Sequence, residues 1–118
     1  MNRRIIAFLW TVFILVGSLM PKAAIDNSSF FDMPYFDKVG HFVMYAVFVY
    51  LWATTFHLRV DKIKSARIAF YSSILLGIVL EYAQYFMASG RNFDIQDIIA
   101  NISGSILGLI VFYKIEKN

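Results

Sequence analysis

Glu81 is the only charged residue in the 23-residue stretch 68–90, which is otherwise built mostly of apolar side chains. A carboxylate inside such a stretch costs about 2.5–3.5 kcal/mol on membrane-insertion scales, so it faces partners, water or a function. Gln84 and Tyr85 follow it by three and four residues and share its face on a helix. Tyr45, Gln84 and Arg91 are the expected partners of the carboxylate. A second group opens an earlier stretch: Asp37 and Lys38, then His41 and Tyr45, with Lys38, His41 and Tyr45 on one helical face. A third runs Arg91, Asp94, Asp97, Asn101, Gly104, Gly108, in steps of three and four. The chemistry available is specific. Glu81 or His41 suits a general base, and Asp97 is the third catalytic candidate. Lys38 and Arg91 suit a phosphate or carboxylate, the arginine in bidentate fashion. Asp37, Tyr45, Gln84, Asp94 and Asn101 complete the candidate binding set. Asp94, Asp97 and His41 are the candidates for a divalent cation, although their spacing matches no recognised metal motif and no cofactor is expected.

Each residue also has a plainer reading. Asp37 and Asp94 each stand just before a helix and suit N-caps. Asp97 suits the positive end of a helix dipole, and His41 suits an interfacial hydrogen bond. Gly104-x-x-x-Gly108 suits a close helix–helix seam. The collective pattern weighs against coincidence, because these groups come from three stretches and gather at one end of them.

The elements that must carry these groups are membrane helices. The 118-residue chain is 59% apolar, 18% aromatic and only 16% charged, against about 25% charge in ordinary soluble domains. Its mean hydropathy is +0.63. Large soluble enzymes, disordered tails and coiled coils are excluded. The absence of cysteine removes disulfides, thiolate metal sites and thiol nucleophiles. Stretches 5–20, 39–58, 68–90 and 98–113 carry little or no charge besides Glu81, and about 20 residues at 1.5 Å each cross a bilayer core. The expectation is an all-α, polytopic integral membrane protein: one domain over 1–118, a four-transmembrane-helix bundle with short loops. Its helices are expected at about 5–21, 38–58, 67–89 and 97–114. The first could be taken for a secretion signal behind Arg3 and Arg4, but Pro21-Lys22-Ala23-Ala24 is a poor cleavage site and retention is expected.

Charge sets the orientation. Eight of the eleven lysines and arginines fall in the amino tail, the connection around residues 59–67 and the carboxyl tail, and six of the eight acids lie on or towards the opposite side. The positive-inside rule then makes both termini cytoplasmic and puts the polar groups at the outer leaflet. A pI near 9.3 is explained by these flanks and by anionic headgroups; no nucleic-acid partner is expected. No glycine-rich phosphate loop, zinc-protease motif or nucleophile elbow occurs.

The order Asp37-Lys38-x-x-His41-x-x-x-Tyr45, Gly77-x-x-x-Glu81-x-x-Gln84, Arg91-x-x-Asp94-x-x-Asp97-x-x-x-Asn101-x-x-Gly104-x-x-x-Gly108 resembles the VanZ-like family. Met87-Ala88-Ser89 departs from it where a proline is often expected, which bears only on local loop shape. The family is named for an accessory membrane protein linked to teicoplanin resistance, and most of its members are bacterial. The resemblance implies a multi-pass protein of the bacterial inner membrane and no particular reaction. Two functions follow as expectations. One is a site that binds or processes a lipid or lipid-linked envelope-precursor headgroup, with a link to glycopeptide resistance. The other is a non-catalytic accessory protein whose polar cluster packs the helices or recognises a partner, a glycopeptide among the candidates. The sequence leaves open the choice between enzyme and binder, the oligomeric state and the role of the outer loop 22–37.

Overall fold

A computed structural model of the chain describes residues 2–19, 36–87 and 94–116. It is all-helical over these segments, with four helices: α1 (Arg3–Ser18), α2 (Phe36–Phe56), α3 (Lys62–Met87) and α4 (Ile95–Ile115). Local chemistry sets their ends. The Asn2 side chain accepts the Arg4 N–H at 2.7 Å and starts α1. Asp94 accepts the Gln96 N–H at 2.9 Å and starts α4, where Asp97 also lies in the first turn against the helix dipole.

One boundary differs markedly from the sequence expectation. The third helix begins at Lys62, not near residue 67, so Lys62, Lys64 and Arg67 are helical rather than part of a connection. The cause is Asp61, whose carboxylate accepts the Lys64 N–H at 2.7 Å while its carbonyl takes the Ser65 N–H. The cap outweighs the local density of charge. The first helix is likewise shifted to 3–18 from the expected 5–21.

Helix α2 is the hub. It packs most heavily on α4, then on α3 and α1, whereas α1 barely touches α3. The α2–α4 contact is close because Gly104 and Gly108 face the α2 backbone: a Cβ on Gly104 would strike the Phe42 carbonyl, and one on Gly108 would strike that of Ala46. Inside the bundle, Ser73 and Ser105 share a 2.8 Å hydrogen bond, and Ser105 also donates to the Asn101 carbonyl. Indole N–H groups tie α1 to α2, Trp10 donating to the Met44 carbonyl and Trp52 to Thr11 Oγ1, each at 2.9 Å.

The distribution of polarity is inverted relative to a soluble protein. Ser65, Ser73, Glu81, Gln84, Asn101 and Ser105 are buried, while Phe8, Phe13, Val16, Leu75, Val79, Phe86 and Ile99 are exposed. This arrangement suits lipid outside and interhelical hydrogen bonds within. Helices α2, α3 and α4 are long and apolar enough to cross a membrane. Helix α1, with 16 residues, rises about 24 Å against a hydrocarbon core of about 30 Å.

Candidate functional site

The end of α2, α3 and α4 away from the chain termini carries a connected polar cluster. It is anchored by Lys38, in the first turns of α2, whose ammonium bridges Asp94 and Asp97 with both N–O distances at 2.5 Å. The two carboxylates differ in environment. The Asp97 side chain is 8% exposed, that of Asp94 39%. The hydrogen bond from Lys38, outweighing a desolvation effect of opposite sign, holds the Asp94 carboxyl below its ordinary range.

One turn further along α2, His41 is buried and its Nδ1 lies 3.0 Å from Asn101 Oδ1 on α4. An amide oxygen only accepts, so Nδ1 carries the proton and donates. Its Nε2 faces Asp97 Oδ2 at 3.7 Å, an electrostatic contact too long for a hydrogen bond. Tyr45, a turn deeper, is fully buried. Asn101 fits because α3 offers Gly77 opposite it: a Cβ there would lie 2.8 Å from Asn101 Nδ2 and 3.5 Å from the Tyr45 ring.

Glu81 on α3 joins the cluster through the backbone. Its Oε1 accepts the Asp94 N–H at 2.8 Å, at the positive end of α4. The expected side-chain partners Tyr45 and Gln84 do not provide this bond; Gln84 instead donates to the Ser18 carbonyl at 2.6 Å and ties α3 to α1. Both side chains are almost completely buried, so their interhelical bonds meet the polar needs of a low-dielectric interior.

Lys38, His41, Glu81, Asp94, Asp97 and Asn101 are thus brought together, and Tyr45 packs beneath them. Gln84 is turned to α1, while Gly104 and Gly108 lie further along the α2–α4 contact. Arg91, the Asp37 side chain and most of residues 22–37 fall outside the described residues. Two residues the sequence reading left unassigned belong to the architecture. Gly77 makes room for Asn101, and Ser18 closes the α1 side. Gly77 was detectable as the glycine one turn before Glu81; nothing in the sequence marked Ser18.

The site has three carboxylates, one ammonium and one imidazole. The ammonium already occupies the position between Asp94 and Asp97 that a cation would take. Among the described residues, no group of three or more His, Cys, Asp and Glu is arranged to hold a metal ion. The cluster can exchange hydrogen bonds with a polar ligand on the partly open side of Asp94 and Lys38, and its carboxylates and the His41 imidazole are its candidate proton-transfer groups.

Comparison with known proteins gives a consistent placement. The VanZ/LLP1 family model matches residues 3–116. An uncharacterized protein of Saccharomyces cerevisiae is 33% identical over 91 residues, covering 66% of this chain and 79% of the yeast protein. No solved structure matches. A family match over nearly the whole length, together with the motif order on which the cluster is built, identifies the chain as a member of the VanZ/LLP1 family.

Proposed function

We propose that the chain is a single membrane domain of four spans, α1 included, with both termini cytoplasmic, and that its outer-leaflet polar cluster binds a lipid headgroup. The observation that carries this reading is the convergence of Lys38, His41, Glu81, Asp94, Asp97 and Asn101 from three helices at one end of the bundle. A bundle that needed only to cohere would gain just about 0.6–2 kcal/mol per buried interhelical bond, a small return for four charged groups at one end. The part-exposed Asp94–Lys38 pair is the entrance, and the buried His41–Asn101–Asp97 group is the recognition surface.

A relative in yeast favours a ligand common to bacterial and eukaryotic membranes, a phospholipid headgroup, over a precursor confined to the bacterial wall. In a bacterial inner membrane, occupancy of this site would alter the outer surface that a lipid-tailed glycopeptide meets, which is the route to a resistance phenotype. The competing reading is a structural clasp, favoured by one specific observation: Glu81 and Gln84 each bond to a backbone group of another segment.

Native mass spectrometry of the detergent-purified chain separates the two readings. The headgroup reading expects bound phospholipid on wild type, lost in His41→Ala and Asp97→Asn while helical content is retained. Unfolding of both variants would support the clasp. Unchanged lipid on folded variants would overturn the headgroup site.

A further inference from the structure

The opposite end of the bundle offers a different feature. Because α1 barely touches α3, a cleft opens between them with α2 as its floor. Its cavity of about 680 Å³ is lined by Phe8 of α1, Trp52 and Phe56 of α2 and Ile68 of α3, with Arg4 and Arg59 also on its wall. A second cavity of about 430 Å³ shares Trp52 and Phe56 and continues along α3 past Leu75 and Val79. Such volumes lie within the roughly 300–1,000 Å³ typical of small-molecule sites. The polar edge of Trp52 is already satisfied by Thr11. Among the described residues, neither the Arg4 nor the Arg59 guanidinium has a carboxylate partner, whereas adjacent Arg3 holds Glu116 at 3.1 Å.

We propose that this cleft binds a phospholipid with an anionic headgroup, its phosphate held by Arg4 and Arg59 and one acyl chain lying along Trp52 and Phe56. Two cations with no carboxylate partner among the described residues sit at the mouth of an elongated apolar groove, the inverse of an anionic amphiphile. The site is separate from the polar cluster around His41, so the two can succeed or fail independently.

Trp52 is a built-in reporter. With Trp10→Phe it becomes the only tryptophan, since the chain contains two. Phosphatidylglycerol and phosphatidylcholine with brominated acyl chains are titrated separately into the full chain in detergent, and Trp52 quenching is read. The anionic lipid is expected to quench at a lower concentration, with a preference of about fivefold for each arginine near the phosphate. Arg4→Gln with Arg59→Gln should abolish the preference, Arg4→Lys with Arg59→Lys should retain most of it, and Asp97→Asn should leave it intact. Equal quenching by both lipids in the arginine-containing protein would reduce the cleft to ordinary lipid contact and overturn the proposal. So would a preference that survives the double glutamine change. If Trp10→Phe perturbs folding, counting bound phosphatidylglycerol and phosphatidylcholine by native mass spectrometry on the Asp97→Asn chain with both tryptophans, with and without the double glutamine change, gives the same two outcomes for the cleft alone.

Discussion

Replacing Gly104 by alanine adds one methyl group where the α2 backbone leaves no space. The new Cβ would run into the Phe42 carbonyl oxygen and lie 2.8 Å from its carbon and 3.0 Å from Cα. These are backbone atoms, so the helices must separate rather than a side chain yield. Overpacking costs about 1–3 kcal/mol, and a backbone obstacle puts this case at the upper end. Alanine regains about 1 kcal/mol in helix propensity over glycine. The net loss is about 2 kcal/mol, or about 30-fold in the folding equilibrium at 1.4 kcal/mol per factor of ten. Gly17→Ala and Gly40→Ala are internal controls, because a Cβ at either position meets nothing within 4 Å; both should be neutral or stabilising. Equilibrium unfolding in mixed micelles, followed by circular dichroism, measures all three. If Gly104→Ala proved as stable as the controls, the close α2–α4 contact would be wrong, and with it the register that brings Lys38 and His41 to Asp97 and Asn101.

Other predictions concern the cluster and the topology. Lys38→Met strands the buried Asp97 carboxylate and should destabilise the fold by about 3 kcal/mol, the low end for a broken buried pair because Asp94 is part exposed; adding Asp97→Asn should restore most of the loss in the same unfolding assay. Lys38 depresses the Asp94 carboxyl, so its stabilising contribution is present above the unfolded value of 3.8 and is lost as pH falls through the lower folded value. Acid titration should show this loss in wild type and a smaller one in Lys38→Met, where only the Gln96 N–H still favours the Asp94 carboxylate through a hydrogen bond. The chain has no cysteine, so cysteines introduced at the exposed positions Gln96 and Lys64 report sidedness cleanly. An impermeant maleimide should label the first from outside and the second only after lysis; the reverse pattern would invert the orientation.

Much of the site was legible because helical spacing is a local property. Asp94, Asp97 and Asn101 follow one another at three and four residues, as do Gly104 and Gly108 beyond them, and the structure puts this face of α4 against α2. Lys38 and His41 were legible for the same reason. What escaped depends on the meeting of distant segments or on backbone groups. The partner of Glu81 is the amide of Asp94, which no pattern of side chains reveals, and that of Gln84 is the Ser18 carbonyl, 66 residues away. Gly77 was visible in the motif, but its role required knowing that Asn101 lies opposite. The start of α3 was missed through reading charge as connection, when a single cap at Asp61 extends the helix over three basic residues.

The central claim is that the cluster at the outer end of α2, α3 and α4 is a headgroup site rather than an internal clasp. A lipidic-mesophase crystal structure of the full chain grown with phosphatidylethanolamine or phosphatidylglycerol tests it most directly. The account predicts headgroup density entering between Lys38 and Asp94 and reaching hydrogen-bond distance of His41, Asn101 or Asp97. A closed Lys38–Asp94–Asp97 bridge, with ordered lipid only around the outside of the bundle, would contradict it.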